Sequence, residues 1–256
     1  MADIERTGYM SLSTYDGICR AINEKLDETV HYTATELEEK IRSIGTRDTL
    51  DEYLRGELFD YTYHGVFLRS QVFNGDNSIK SFTAPMLASI SASAFLNSQL
   101  QSIKCENVTT CAGMSAFDGC KQLTEVYFPR VQIFSGQYLM RSCLALVTLE
   151  LPEALEVGGA ACLSNCTSLK SLIIPKCKKI VTNNNWLSGS TSLIEIIIES
   201  PDCTLSSSSG FPSNFLEIGT IYIKDEYAES YKTKTNWSYF ADIIKPLSER
   251  PTEVTE

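Results

Sequence analysis

A leucine returns through the middle of this chain at Leu100, Leu123, Leu146, Leu169 and Leu193, at steps of 23, 23, 23 and 24 residues. Three positions after each stands Ile103, Val126, Leu149, Leu172 or Ile196, and two further on stands Cys105, Phe128, Leu151, Ile174 or Ile198. Apolar residues at alternate positions over so short a run predict a strand with one buried face. A fixed period between roughly 20 and 29 residues predicts that each repeat is one coil, made of a strand, a turn and a return segment. Such a coil has too little interior to bury its own apolar side, so only stacking on its neighbours makes a core. Upstream, Ile79, Phe82 and Ala84-Pro85 fit the pattern 21 residues before Leu100, while Leu58, Tyr61 and Tyr63 fit it poorly. The chain is therefore predicted to be a solenoid of about six or seven coils, right-handed as strand connections of this kind are.

Two further columns run in phase. Phe95, Phe117, Leu139 or Met140, Leu163 and Leu187 form one, and Ser98, Cys120, Cys143, Cys166 and Ser190 form the other. The second column accounts for three of the nine cysteines. A small hydrophobe that is often fully buried fits an inward column, and the two serines show that size matters there more than thiol chemistry. An odd cysteine count in a chain of 256 residues does not read as a disulfide framework. Cys162 and Cys166 lie four apart with no histidine partner nearby, so zinc ligation is not expected, nor is any other metal or cofactor.

The stretch AFDGCKQLTEVYFP (Ala116–Pro129) resembles the BspA-type leucine-rich repeat, whose units read roughly I-x-x-x-A-F-x-x-C-x-x-L-x-x-I-x-L-P. The likeness runs from Leu58 to Leu247. It is sharpest at Phe117, Cys120, Leu123, Val126 and Pro129, and at Cys166, Leu169, Leu172 and Pro175, and it degrades at Thr182–Ser190. The resemblance implies an α/β leucine-rich-repeat solenoid with one short parallel strand per coil, an N-terminal helical segment and a C-terminal helical cap. The run from Ile218 to Lys224, with Tyr231, Trp237 and Ile243–Leu247, is similar to the segment that closes such arrays, with Lys224 where proline is usual. A last coil exposes an apolar face and needs a cover. Tyr227, Tyr231, Trp237, Phe240, Ile243 and Ile244 can supply one. The predicted organisation is residues 1–56 as an N-terminal helical attachment or capping segment, 57–217 as the solenoid, 218–247 as the cap and 248–256 as a frayed polar tail.

Residues 1–56 do not repeat. Ser13 or Thr14 can cap a helix with Ile18, Ile22 and Leu26 on one face. TATE (Thr33–Glu36) is a capping box before a second helix with Leu37, Ile41 and Ile44, stopped at Gly45. Such narrow stripes make a poor independent core. They either cap the first repeat or attach the protein to a partner through Ile18, Ile22, Leu26, Leu37 and Ile41. The segment Ile18–Ile44 resembles the short helical leader of repeat proteins from tailed-phage and prophage structural regions, which implies a virion location. The start MADIERTGYM has neither a basic n-region nor an apolar run, so no secretory signal is expected in it.

No catalytic constellation stands out. His31 and His64 are the only histidines and read as loop residues, and Ser206–Ser209 reads as a polar loop. A net charge of −10 argues against nucleic acid as a partner, because phosphate contacts need basic patches. No apolar run approaches the roughly 20 residues a spanning helix needs, so membrane insertion is not expected.

What the coil pattern offers is a surface, because residues between the inward positions of each strand point outward. One outward column holds Lys104, Tyr127, Glu150, Ile173 and Ile197, the next Ser102, Glu125, Thr148, Ser171 and Glu195, and the third Gln101, Thr124, Val147, Lys170 and Ile194. Tyr127, Ile173, Ile194 and Ile197 are apolar where solvent is expected. Either β-propensity fills an exposed strand, or the patch is an interface. The candidate binding face is Lys104, Thr124, Glu125, Tyr127, Glu150, Lys170, Ile173, Ile194 and Ile197. The expectation is a non-enzymatic binding and assembly protein, a virion component whose partners are other virion proteins or a host surface protein or glycan. A bacterial surface or secreted adhesin of the BspA kind is the alternative, and an accessory binding domain of an enzyme the second. Homo-oligomerisation stays open, with no long heptad run to direct it.

Overall fold

A computed structural model describes residues 60–63, 68, 70–182 and 185–251. The predicted N-terminal helices, with Ile18, Ile22, Leu26, Leu37 and Ile41, lie outside the described residues, as do both histidines.

Each leucine motif forms a strand of three or four residues. In chain order these are β2 (Ser81–Thr83), β4 (Ser102–Lys104), β6 (Glu125–Tyr127), β8 (Thr148–Glu150), β10 (Ser171–Ile173), β12 (Glu195–Ile198) and β14 (Thr220–Ile223), preceded by β1 (Asp60–Thr62) and closed by β15 (Ile244–Pro246). The pairing is parallel and keeps equivalent positions opposite one another, as in Ile103↔Val126, Leu172↔Leu149 and Leu172↔Ile196. The repeat period therefore fixes the register. Phe82, Ile103, Leu149, Leu172, Ile196 and Ile221 point inward and are fully or almost fully buried, as are the leading residues Ile79, Leu100, Leu123, Leu146, Leu169 and Leu193.

The expectation of one strand per coil falls short by one. A second, shorter strand follows in the coils: β3 (Ser89–Ile90), β5 (Thr110–Cys111), β7 (Ile133–Ser135), β9 (Glu156–Gly158), β11 (Lys179–Val181) and β13 (Thr204–Leu205). They form a six-stranded parallel sheet, with Ile90, Cys111, Phe134, Val157, Ile180 and Leu205 turned into the core.

The return segment is not a helix. It is a turn held open by two residues in the left-handed region, four apart, in coil after coil: Ser93 and Asn97, Ser115 and Gly119, Tyr138 and Ser142, Ala161 and Asn165, Asn185 and Gly189. Serine, asparagine and glycine fill most of these positions, and glycine and asparagine tolerate positive φ best. At Gly119 (φ +74°) the requirement is doubled, because a Cβ there would run into the Asn97 side-chain oxygen of the coil below. Between these points the backbone bonds from coil to coil: Phe95 N to Ala116 O, Phe117 N to Leu139 O and Met140 N to Cys162 O, each 2.8 Å. Buried main-chain polar groups need such partners.

The cysteine column sits at the end of this turn. Cys120, Cys143 and Cys166 are fully buried, and Ser98 and Ser190 almost or fully so. Each thiol donates to a carbonyl of the preceding coil: Cys120 to Phe95 O at 2.9 Å, Cys143 to Phe117 O at 3.3 Å, and Cys166 to Met140 O at 3.1 Å. Ser190 Oγ donates to Leu163 O at 2.7 Å in the same way. Cysteine and serine interchange because both are small and both can donate. Inside, Phe73, Phe95 and Phe117 stack with centroids 5.2 and 5.4 Å apart.

The C-terminal cap comprises α1 (Phe215–Ile218), α2 (Asp225–Tyr231) and the 3-10 helix η1 (Trp237–Ile243). Phe215, Tyr231, Trp237, Phe240 and Ile244 are buried in it, with Tyr227 and Ile243 packed at its margin. Its polar handles are satisfied on the last coil: Trp237 Nε1 donates to Cys203 O at 2.8 Å, and Tyr231 Oη donates to Ser200 O at 2.7 Å.

Because Leu146 is fully buried within a stack whose coils depend on one another, Leu146→Ala is expected to cost about 2–5 kcal/mol, read as a lower midpoint in urea unfolding.

Candidate functional site

The outward side of the leucine-motif strands is built of three residues per coil, placed by the alternation that turns their neighbours inward. Lys104, Thr124, Glu125, Glu150 and Lys170 are exposed on it, Tyr127 and Ile194 are 45% and 39% exposed, and Ile173 is half-buried. Val147, beside Thr124 in the same column, adds a side chain 45% exposed. Lys104 Nζ lies 5.4 Å from the Tyr127 ring centroid, within cation–π range. Glu125, Glu150 and Lys170 form no ion pair among the described residues.

The face is interrupted at one place. The strands order as β1-β2-β4-β6 in one sheet and β15-β14-β12-β10-β8 in another, so the ladder stops between β6 and β8. Elsewhere each boundary repeats the same links, such as Thr124 N to Gln101 O (2.8 Å) below it and Lys170 N to Val147 O (2.8 Å) above it. Among the described residues no backbone hydrogen bond joins β6 to β8, although the second sheet runs unbroken past them through β5, β7 and β9. Val126, the inward residue of β6, is half-buried where its counterparts are fully buried. Exposed Thr124, Glu125, Tyr127 and Val147 surround this parting.

One predicted face residue is misplaced. Ile197 is only 3% exposed. It points outward beside Tyr222 of β14, which is 8% exposed, and both are covered. Alongside β14 runs the junction of the predicted cap and the predicted polar tail. Leu247–Glu249 forms a 3-10 turn, η2, against β14. The Ser248 amide donates to Asp225 Oδ1 at 2.9 Å. Arg250 then reaches back to β12, donating through Nε and Nη2 to the two oxygens of Glu195 at 2.9 and 2.8 Å. Ser171 of β10 donates to Glu195 Oε1 at 2.7 Å. Glu195 and Ser171, outward positions by sequence, are thereby buried at 9% and 7% exposure. Sequence reasoning missed Arg250 because its partner lies 55 residues away, and no local pattern marks it. An acidic residue on a strand position surrounded by isoleucines was the available signal.

Burial alone would raise the Glu195 pKa, and the Arg250 fork and Ser171 hydroxyl outweigh it, holding the carboxyl below its ordinary value. The cysteines behave oppositely. Burial pushes the Cys105, Cys120, Cys162 and Cys166 thiols up to about 12. A thiol must ionise to act as a nucleophile or ligand, so these are packing groups.

A family model described as a BspA type leucine rich repeat region matches the chain in six copies, over residues 66–194 and 130–231. Among solved structures, a leucine rich repeat protein of T. pallidum is similar at 20% identity and a TM-score of 0.45, over 68% of this chain and 75% of that one. An internalin from Listeria monocytogenes is similar at 15% identity and a TM-score of 0.41, over 77% of this chain and 49% of that one. A leucine rich cell surface protein from Faecalibacterium prausnitzii is similar at 16% identity and a TM-score of 0.36, over 77% of this chain and 61% of that one. The chain thus spans less than two thirds of the latter two. No curated protein matches it. Among the described residues no helix is long and apolar enough to cross a membrane.

Two outcomes follow from the titrating groups. Iodoacetamide at pH 8.5 should leave Cys105, Cys120, Cys162 and Cys166 unlabelled until the chain is unfolded, as peptide mass spectrometry would record. A carboxyl held below its unfolded value contributes stability that is full above that value and is lost as pH falls through the folded one. The Arg250 fork should therefore stay closed at neutral pH and open as pH falls below the ordinary glutamate range, seen as rising hydroxyl-radical labelling of Tyr222. Glu195→Gln should remove most of that acid dependence.

Proposed function

The chain belongs to the BspA-type leucine-rich repeat family, and from that premise we propose that it is a non-enzymatic binding protein whose contact surface is the outward face of β4 to β10. The observation that carries the proposal is the parting between β6 and β8, ringed by exposed Tyr127, Val147, Thr124 and Glu125 on an otherwise continuous ladder. Solenoid sheets offer extended binding surfaces, and aromatic and aliphatic groups on them supply most of the energy of a contact. Lys104, Glu150, Lys170, Ile173 and Ile194 extend the face on both sides. Its partner is a protein or glycan of a host surface, or another protein of the same assembly.

The finer reading is a phage virion component, held on the particle through the N-terminal segment with Ile18, Ile22, Leu26, Leu37 and Ile41. Its support is the resemblance of Ile18–Ile44 to leaders of phage structural-region repeat proteins. Family membership favours a second reading, a bacterial surface adhesin using the same strand face. Immunogold labelling separates them: label on purified particles supports the first, and label on intact particle-free cells supports the second.

For the face itself, Tyr127→Ala combined with Ile173→Glu is expected to weaken capture of the partner at least tenfold while moving the thermal midpoint by only a few degrees, since neither side chain is in the core. Unchanged capture by a folded double variant would remove the strand face from consideration.

A further inference from the structure

The strand face is not bare along its whole length, and its covered end shows what it can hold. Every outward residue from β4 to β8 is exposed or half-buried, yet from β10 onward Ser171, Glu195, Ile197 and Tyr222 are buried. The chain's own Leu247–Arg250 lies along this end, with η2 against β14 and Arg250 on Glu195. This segment contributes nothing to the core: Leu247 and Arg250 are half-buried, and Ser248 and Glu249 are exposed. The buried residues of the last strands, Ile221, Ile223 and Ile244, face the opposite side, sealed by Trp237 and Phe240. The segment lies on the finished fold as a ligand would. Its guanidinium meets a carboxylate in the two-point geometry that distinguishes arginine from lysine, and that carboxylate is oriented from behind by Ser171.

We propose that Ser171, Glu195, Ile197 and Tyr222 form a recognition site for an arginine-bearing peptide, and that Leu247–Arg250 is its resident occupant, which a partner's arginine segment displaces. The inference rests on the reading of the strand face as the contact surface, and it names the chemistry at one end of it. The occupant is a guanidinium with an apolar residue three positions before it, as Leu247 stands before Arg250. The charge balance agrees, because a chain of net charge −10 attracts a basic partner segment. Glu125 and Glu150 lie on the same face toward β6, interspersed with Lys104 and Lys170.

The test uses the full chain carrying Leu247→Ala and Arg250→Ala (called the Arg250→Ala chain), which removes both side chains of the resident occupant, and a fluorescent peptide of sequence LSERPT, the chain's own residues 247–252. Fluorescence anisotropy should show the peptide binding this variant at least tenfold more tightly than the wild type, whose site is filled. Binding should weaken at least tenfold with an LSEAPT peptide or when Glu195→Gln is added, and it should fall as salt rises. Failure of the peptide to bind a folded Arg250→Ala chain overturns the proposal, as does equal binding of LSERPT and LSEAPT. If Arg250→Ala unfolds the protein, the milder Arg250→Lys decides. A midpoint lowered by more than about 10 °C in that variant as well would make the segment a structural clasp and end the proposal. Tyr127→Ala should leave peptide binding unchanged. Loss of peptide recognition with partner capture at Tyr127 intact refutes this inference alone, and the reverse refutes only the wider face.

Discussion

Coil-to-coil backbone hydrogen bonding is the constraint from which the rest of this molecule follows. A coil of some 23 residues buries little by itself, so its polar main chain and apolar side chains are both satisfied only by the next coil. Both needs must be met in one register. The bonds of the leucine-motif strands, the second sheet and the left-handed turns all link a residue to its counterpart one period away. The period runs between 21 and 24 residues from Ile79 to Leu193, and the turns absorb the difference while equivalent strand positions stay paired, as in Phe82↔Ile103 and Leu172↔Ile196. The same demand explains the cysteine column. A buried carbonyl at the end of each turn receives a donor small enough to fit, and a thiol or hydroxyl serves equally.

The legible part of the fold was the part encoded in long side chains at fixed spacing. Leu100 through Leu193, and the inward residues behind them, were readable because one apolar position is repeated many times. The second sheet was hidden because its strands are two or three residues long, and its inward members (Ile90, Cys111, Phe134, Val157) vary in size and carry no shared motif. The paired left-handed residues were hidden for a different reason. Their requirement concerns φ, and serine, tyrosine, asparagine, alanine and glycine all satisfy it in this stack once neighbouring coils over-determine the turn. On the candidate face, alternation placed Tyr127, Glu125, Lys170 and Ile194 outward, as found. It misjudged Ile197, which is buried beside Tyr222 of β14, and Glu195, which is held by Arg250 across 55 residues of sequence.

A solenoid ladder is stiff, and a stiff sheet makes a poor site unless its regularity is relieved. Here relief comes where bulk enters the column that ends each strand. Ala84, Cys105, Phe128, Leu151 and Ile174 occupy it in turn, and Phe128 is the largest, fully buried against Phe117 at 6.1 Å. Just there the leucine-motif ladder parts while the second sheet stays joined. The core remains closed behind the gap, and the outward side chains of β6 and β8 are freed from a strict spacing. At the other end the sheet is continuous, and its face is covered by a segment that brings its own charge. On the proposed reading, binding at the first place needs complementarity of shape, whereas binding at the second needs a guanidinium able to replace Arg250. On the same reading, a partner that engages both lies across β8 and β10, from Tyr127 toward Glu195, a reach of about 15 Å at the ordinary strand spacing.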